Sequence, residues 1–208
     1  MAGNSIFERD YVLLDGAMGT MLQKKGMEVG TVPETLNILK PEWIVDIHKS
    51  YIEAGADIVY ANTFGANRYK MENTGYSVKE LISAAIKNAK EADVIVIETM
   101  TDLLETKAAV LAAKENSNLP VMTTMTFEEN KRTFTGCSVS AMCLTLQGLG
   151  VDALGVNCSL GPKDLLPIVE EISKWTYLPI VVKANAGLPD PITNTYNVSA
   201  DEFATICK

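Results

Sequence analysis

The hydrophobic residues of this chain form short apolar runs that alternate with longer stretches of helical periodicity. A short apolar run bounded by turn formers is typical of a buried strand, whereas apolar residues three and four positions apart indicate one face of a helix. Residues 41–54 show the helical pattern most clearly, between Pro41 and Gly55. The apolar runs predict six strands, at residues 11–14, 57–60, 94–97, 120–125, 153–156 and 179–182.

Local signals mark where several predicted helices begin. Ser77 and Glu80 have the spacing of a capping box, which predicts a helix from there to about Ala92. Thr101 or Asp102 is expected to cap the next helix. Further along the chain, helices are predicted over residues 103–115, 140–149 and 163–175. Residues 32–39 show neither pattern and are predicted to be an irregular connection.

Strands that alternate with helices predict an α/β fold. Continuous apolar strands separated by helices indicate a parallel sheet covered on both faces, in a single domain. Two architectures fit this pattern. A (β/α)-barrel closes with eight units in about 250 residues, and an open doubly wound sheet needs only about six strands. Periodicity alone does not separate them.

Composition and charge narrow the classes of partner. The chain has 208 residues, of which 47% are hydrophobic, and a net charge of -8. An acidic chain without a basic cluster is a poor candidate for binding nucleic acid or an anionic membrane. No apolar run approaches the roughly 18 residues of a membrane span. The N-terminus has no apolar signal-peptide core, so a cytoplasmic location with reduced cysteines is expected.

Polar residues follow the predicted strands at their carboxyl ends, where α/β proteins bind ligands. A cysteine hydrolase would need a histidine near its nucleophile. The only histidine, His48, lies mid-helix and is predicted to be a packing or surface residue. Cys158 is therefore a metal ligand or a structural thiol. The polar residues at the strand ends are Asp15, Asn62, Glu98, Asn157, Cys158 and Asn185.

Six motifs in order resemble the homocysteine S-methyltransferase family over essentially the whole chain. Each motif alone is weak, but six in one order are highly specific. They are D-G-A-M-G-T at 15–20, A-N-T-F at 61–64, E-T-M at 98–100, T-M-T-F at 124–127, G-V-N-C-S-L-G-P at 155–162 and A-N-A-G at 184–187.

The resemblance implies a TIM barrel with a zinc site at its carboxyl mouth and a methyl transfer to the thiol of homocysteine, giving methionine. It makes Cys158 one of three cysteine ligands to zinc. It places Asp15 and Glu98 around the homocysteine as catalytic residues, with Glu98 facing the ammonium. The remaining implied substrate contacts are the backbone at Gly16 and Ala17, which suits the carboxylate, and Asn62, Asn157 and Asn185, the last beside the metal.

The sequence also departs from the family pattern. The family's other two zinc cysteines are adjacent in a G-G-C-C stretch, and this chain has no such stretch. A family βα unit is expected to be missing internally near residues 66–93, and another at the C-terminal end, so the prediction is an incomplete barrel of about six units. One cysteine does not hold zinc as three do, so zinc is expected to bind weakly or not at all.

Two classes of function follow. The first is a methyltransferase or methyltransferase module, which uses cobalamin only through a partner module and meets a methyl-donor module or corrinoid protein. The alternative is a non-catalytic remnant that self-associates, or needs a partner, to cover exposed strand edges. A weaker third interpretation is a TIM-like enzyme for a pterin or small acid, against which the motifs at 15–20 and 155–162 argue.

Overall fold

The computed structural model describes residues 10–89, 94–187, 196 and 198–207. The chain divides into two compact units, residues 1–92 and 93–208. Each unit is described by itself below.

The first unit is mainly helical. A small core holds α1 against α3, through the buried side chains of Leu22, Ile44 and Ile47. Its helices are α1 (Met18–Lys24), α2 (Leu36–Leu39), α3 (Pro41–Glu53), α4 (Arg68–Met71) and α5 (Val78–Asn88), with a 3-10 turn at Pro33–Thr35 before α2.

The prediction of two regular strands in the first unit is wrong. Residues 11–14 and 57–60 meet in parallel, but only through an isolated bridge between Leu14 and Ile58. Two carboxylates end the pairing. Asp57 accepts from the backbone N–H of Leu13 at 3.0 Å, and Asp15 accepts from that of Tyr60 at 2.9 Å. These amides are bonded by side chains rather than by a longer backbone ladder.

The prediction of an irregular connection at 32–39 is also wrong, because this segment is largely helical. Pro33 opens the 3-10 turn, where its missing N–H is no loss. Its carbonyl oxygen accepts from the Asn62 side-chain amide at 2.8 Å, and the Asn37 amide donates to the Asn62 carbonyl at 2.8 Å. Contacts 25 and 29 residues apart therefore support this helix, and local periodicity does not show them.

The second unit is a four-stranded parallel sheet with helices after its strands. Four predicted strands are confirmed, with boundaries that shift by up to three residues. The strands are β1 (Ile95–Met100), β2 (Val121–Met125), β3 (Ala153–Asn157) and β4 (Ile180–Lys183), and the helices are α6 (Leu103–Asn116), α7 (Val139–Gly148), α8 (Pro162–Ile172) and α9 (Ala200–Ile206).

The strand order in this sheet is sequential, β1-β2-β3-β4, and every pairing is parallel. Helix α6 contacts β1 and β2, α8 contacts β3 and β4, and α7 lies between α6 and α8. A doubly wound sheet reverses its strand order at a switch point, and the described sheet has no reversal. The predicted α/β fold with a parallel sheet is confirmed, and its winding is the sequential winding of a barrel.

The two faces of the sheet differ in chemistry. Ile97, Val121 and Leu154 face the helices and share the main core with Met142 of α7 and Leu165 of α8. Because side chains alternate along a strand, the next residues point to the opposite face. There the register aligns Asn157 with Lys183, and Glu98 and Thr124 share that face. We call Glu98, Thr124, Asn157 and Lys183 the polar row.

Helix starts follow the predicted capping signals. Ser77 and Glu80 form the complete capping box of α5. Asp102, rather than Thr101, caps α6 by accepting from the Glu105 backbone N–H at 2.9 Å. The predicted end of the α5 helix at residues 90–92 lies outside the described residues. Among the helices that the structure describes, none has both the length and the apolar character needed to cross a membrane.

Candidate functional site

The polar row lies at the carboxyl end of the sheet, and the residues at its two ends form an ion pair with each other. The Lys183 ammonium at the end of β4 lies 3.0 Å from the Glu98 carboxylate of β1. Both side chains are partly exposed, at 27% and 21%. Thr124 and Asn157 lie between them in the row and are buried. The carboxylate that the resemblance assigns to the substrate ammonium is therefore already paired with a cation of this chain.

Asn157 connects the row to Cys158. Its Oδ1 accepts from the Thr99 backbone N–H at 3.0 Å and from the Thr124 hydroxyl at 2.7 Å. Its Nδ2 donates to the Thr99 hydroxyl at 2.7 Å and to the Cys158 sulfur at 3.2 Å. A side-chain amide offers two donors and two acceptor lone pairs, so these four bonds use its full capacity. A direct substrate contact by Asn157 stays a prediction and would have to replace one of them.

The turn after β3 holds Cys158 in an unusual backbone conformation. Cys158 and Ser159 have φ values of 59° and 56°, and Thr99 near the end of β1 has 61°. Left-handed conformations cost free energy for residues other than glycine and persist where the surroundings fix them. Here the Cys158 N–H donates to the Lys183 carbonyl at 3.0 Å, and the Ser159 hydroxyl donates to the Phe127 carbonyl. The turn keeps the Cys158 thiol partly exposed at the carboxyl edge.

Asn185 lies at the same edge, because its backbone N–H donates to the Leu160 carbonyl at 3.0 Å. The donors around Cys158 do not fit a zinc site. The Cys158 sulfur accepts a hydrogen bond from the Asn157 amide, and the part of the chain that the structure describes contains no group of three histidines, cysteines or carboxylates able to hold a metal. Structural and catalytic zinc sites use at least three such ligands.

The remaining predicted residues lie in the first unit. Asp15 accepts from the Tyr60 backbone as described above, and Asn62 is buried by its bonds to the 33–37 segment. The Tyr51 ring lies over Gly16, and its hydroxyl donates to the Ala17 carbonyl at 3.1 Å. Burial and, to a smaller extent, the Asp15 carboxylate raise the pKa of the Tyr51 hydroxyl. Tyr51 therefore stays protonated as a donor at neutral pH.

The structure thus brings Glu98, Asn157, Cys158 and Asn185 to one edge of the second unit. Convergence of these residues with Asp15, Gly16, Ala17 and Asn62 of the first unit stays a prediction, as do the catalytic and substrate-binding roles of all of them.

Sequence reasoning missed three side chains that contact predicted site residues or their neighbours, one in the second unit and two in the first. Lys183 ends an apolar run directly before the A-N-A-G motif, and a charge at a strand end was the available signal. Glu34 is buried and accepts from the Gly65 N–H, but it lies in the segment predicted to be irregular. Tyr51 lies on the apolar stripe of α3, where its hydroxyl gave no sign of a contact with Ala17.

A cavity of about 320 Å³ lies beside the start of α8 and does not coincide with the polar row. Residues 159–161, the first turn of α8, Gly187 and α9 contribute to its lining, and Glu98, Asn157 and Lys183 do not. We place the candidate site at the polar row, because the paired charges, the buried amide and the strained thiol turn lie together there.

Comparison with solved structures shows which known fold the chain shares. It is similar to the homocysteine methyltransferase MmuM from Escherichia coli. The metallated form gives a TM-score of 0.78 at 19% identity, covering 84% of this chain and 83% of that chain. The apo form gives a TM-score of 0.67 at 21% identity, with 84% and 82% covered. At these identities the likeness concerns the fold alone.

Sequence comparisons give the family. The chain is 29% identical to methionine synthase from Mycobacterium tuberculosis over 238 residues and to that from Mycobacterium leprae over 240 residues. Each alignment covers 84% of this chain but 20% of the relative, so the chain spans about one fifth of the length of these relatives. The sequence model described as Homocysteine S-methyltransferase matches in two segments, residues 12–93 and 88–208. Because these segments together cover nearly all of the sequence, the chain belongs to the homocysteine S-methyltransferase family.

Proposed function

We propose that this chain binds homocysteine at the polar row and presents its thiol for methylation. The observation that carries the proposal is the hydrogen-bonded path from the β1 end, where Glu98 lies, through Thr99 and Asn157 to the Cys158 thiol. A carboxylate and a thiol are thus held at one edge of a sheet in a member of this family. The Glu98 carboxylate would take the substrate ammonium through a charge-assisted hydrogen bond.

The reaction sets a clear chemical demand on the site. The homocysteine thiol loses its proton, its sulfur forms a bond to the methyl carbon, and the donor leaves with the electron pair of the broken bond. A free thiol has a pKa of about 8.5 and is mostly protonated at neutral pH. We propose that the chain's residues bind and orient the substrate. Glu98 binds the ammonium group of homocysteine, and the thiol at the other end of the molecule then points toward Cys158.

Zinc is the group that the family resemblance supplies for deprotonating the thiol, but the described residues do not fit it. We therefore derive no step through zinc and expect this chain by itself to methylate homocysteine poorly. The methyl donor, and cobalamin if it takes part, would come from a partner module or corrinoid protein. The length of the methionine synthases, about five times the matched part, supports a role as one module among several.

The proposed internal gap in the barrel also has support. The two segments matched by the family model overlap at residues 88–93, inside the range where the sequence predicts a missing βα unit. Self-association through uncovered strand edges stays part of the proposal.

Titration calorimetry with homocysteine tests the binding function. Glu98→Gln keeps the size of the side chain but removes its charge and replaces one acceptor oxygen by an NH2 donor. Loss of one charge-assisted bond should weaken binding by about tenfold. The control is Glu105→Gln, an exposed glutamate in the first turn of α6, which should bind like the wild type. Equal affinity of Glu98→Gln and wild type would refute the site. Absence of binding in all three proteins would favour the non-catalytic remnant.

A further inference from the structure

Strand β1 contains a bulge at Glu98 and Thr99. Its pairing with β2 advances by three residues along β1, from Ile97 to Met100, but by only two residues along β2, from 123 to 125. Ile97 and Met100 both pack against the main core. Two residues of β1 therefore lie opposite one residue of β2, which is the arrangement of a β-bulge.

The bulge decides which way Thr99 points. Side chains alternate between the two faces of a regular strand, so a strand with Ile97 on the helix-facing side would place Thr99 on that side as well. The extra residue gives this core position to Met100 instead. The Thr99 hydroxyl lies at the polar row, where it accepts a hydrogen bond from the Asn157 amide at 2.7 Å.

Thr99 carries the strained backbone of the bulge. Its φ is 61°, and a β-branched residue rarely adopts this left-handed conformation. Such strain persists where the surroundings hold it in place. One side chain supplies two bonds here, because the Asn157 Oδ1 accepts from the Thr99 N–H at 3.0 Å and the Asn157 Nδ2 donates to the Thr99 hydroxyl.

The Asn157 amide is itself held firmly. It belongs to β3, and β2 lies between β3 and the bulge in β1. The Thr124 hydroxyl of β2 donates to the same Asn157 Oδ1 at 2.7 Å, and Asn157 is only 2% exposed. In a buried site such bonds are stronger than in water, and an unpaired polar group is costly. Groups on three strands therefore fix the conformation of the bulge.

We propose that Thr99 and Asn157 are positioning residues that set the direction of the Glu98 carboxylate through the β1 bulge. Neither touches the substrate. Asn157 acts through its two bonds to Thr99, and Thr99 acts through the peptide bond that joins it to Glu98. The inference rests on the proposed function and extends it, because it names the groups that hold the ammonium-binding carboxylate in place.

The geometry of hydrogen bonds explains why this support matters for binding. Bulges next to active sites commonly change the direction of a side chain. A bond from an ammonium to a carboxylate weakens steeply when donor and acceptor are misaligned. If the bulge relaxes, Glu98 samples several directions, and the substrate loses affinity by having to order it.

Titration calorimetry of the full chain with homocysteine tests the inference by a double-mutant cycle. Thr99→Val keeps the shape of the side chain but removes the hydroxyl that accepts from Asn157. We expect it to weaken binding by about fivefold, the scale of one hydrogen bond. Because Thr99 acts through Glu98, Thr99→Val combined with Glu98→Gln should bind like Glu98→Gln alone, about tenfold below the wild type. Independent effects would multiply to about fiftyfold.

Two further variants separate positioning from general stability. Thr99→Ser keeps the hydroxyl and should bind within about twofold of the wild type. Thr106→Val removes the hydroxyl of a fully buried threonine of α6, which donates to the Asp102 carbonyl, and should leave the affinity unchanged. If Thr99→Val does not fold, Thr99→Ala, which also lacks the hydroxyl, replaces it with the same expected changes.

The outcomes separate this inference from the proposed function. Equal affinity of Thr99→Val and the wild type, or a double variant about fiftyfold weaker than the wild type, overturns the positioning role and leaves the function standing. Failure of the wild type to bind homocysteine overturns both. Effects of Thr99→Val and Glu98→Gln that do not multiply, together with retained binding by Thr99→Ser, support the inference.

Discussion

Gly155 in β3 lies closer to β4 than any side chain would permit. A Cβ atom built on this glycine would overlap the carbonyl oxygen of Val181, which is backbone and has little freedom to move. The close approach occurs two residues before Asn157, in the part of the pairing that sets Asn157 beside Lys183. The glycine of the G-V-N-C motif therefore has a steric role in bringing the candidate site together.

The substitution Gly155→Ala should destabilise the second unit by about 3 kcal/mol or more, the upper end of the cost of overpacking. Urea denaturation followed by circular dichroism measures it. Gly148→Ala is the control, because a Cβ at Gly148 in the last turn of α7 meets no atom within 4 Å. Alanine there should be neutral or stabilise by up to about 1 kcal/mol. Equal stabilities of the two variants would contradict the steric argument.

His48 is a buried packing residue in α3, one of the two alternatives that the sequence left open. It is 3% exposed, and neither ring nitrogen has a hydrogen-bond partner among the described residues. Burial lowers the pKa of its imidazole below the ordinary value of 6.5. Protonation then favours the unfolded chain, whose histidine keeps its normal pKa. The stability that the neutral ring provides is complete above about pH 6.5 and falls as the pH drops below that value.

We expect His48→Leu to remove this component of the pH dependence. Between pH 7 and 5 the wild type should lose stability relative to His48→Leu, with a slope of at most about 1.4 kcal/mol per pH unit. Fluorescence of Trp43, which lies in the same helix, reports unfolding of the first unit in a Trp175→Phe background. Parallel stability curves for the two proteins over this range would show that the ring is not kept neutral.

At the scale of elements, the structure decides which of two candidate residues, Thr101 or Asp102, caps the start of α6. The Asp102 carboxylate accepts from the Glu105 N–H, and the carbonyl of Thr101 accepts from the Thr135 hydroxyl. Only Asp102 uses its side chain to satisfy a free amide at the helix N-terminus.

Asp102→Ala should therefore cost about 1 kcal/mol of unfolding free energy, the usual value for loss of an N-cap. Thr101→Ala leaves the Thr101 carbonyl in place and should change stability by less than about 0.5 kcal/mol. Thermal and urea unfolding of both variants beside the wild type measure the difference. A larger effect from Thr101 would mean that the cap is assigned to the wrong residue.

At the scale of the whole molecule, the number of zinc ligands that the chain supplies determines how much zinc we expect it to bind. Cys158 is the one residue that matches a zinc ligand of the family, and the described residues hold no cluster of three donors. We expect much less than one zinc per chain after dialysis, since most of the binding free energy comes from the thiolates. We also expect slow methyl transfer to homocysteine by the isolated chain.

Elemental analysis of the dialysed protein, paired with a methyl-transfer assay, measures both quantities. Cys207→Ser, which changes an exposed thiol near the end of α9, controls for metal held nonspecifically by cysteine. One tightly bound zinc per chain, lost together with turnover in Cys158→Ala but not in Cys207→Ser, would contradict the ligand count.

The sequence by itself determined the features that depend on neighbouring residues. The apolar runs at 94–97, 120–125, 153–156 and 179–182 became strands of one parallel sheet, because burial on both faces favours unbroken apolar strands. The capping box at Ser77 formed because all its groups lie within one helical turn. The six ordered motifs predicted the family, which the family match confirms.

Only the tertiary structure decided the features that join distant parts of the chain. Side-chain carboxylates shortened the first two predicted strands to a bridge, and buried amides made the 33–39 segment helical. The pairing of Glu98 with Lys183 depends on the register of four strands, which no local pattern contains. The physical reason is the same in each case: a polar group takes the partner that folding brings within about 3 Å, and sequence separation does not limit that choice.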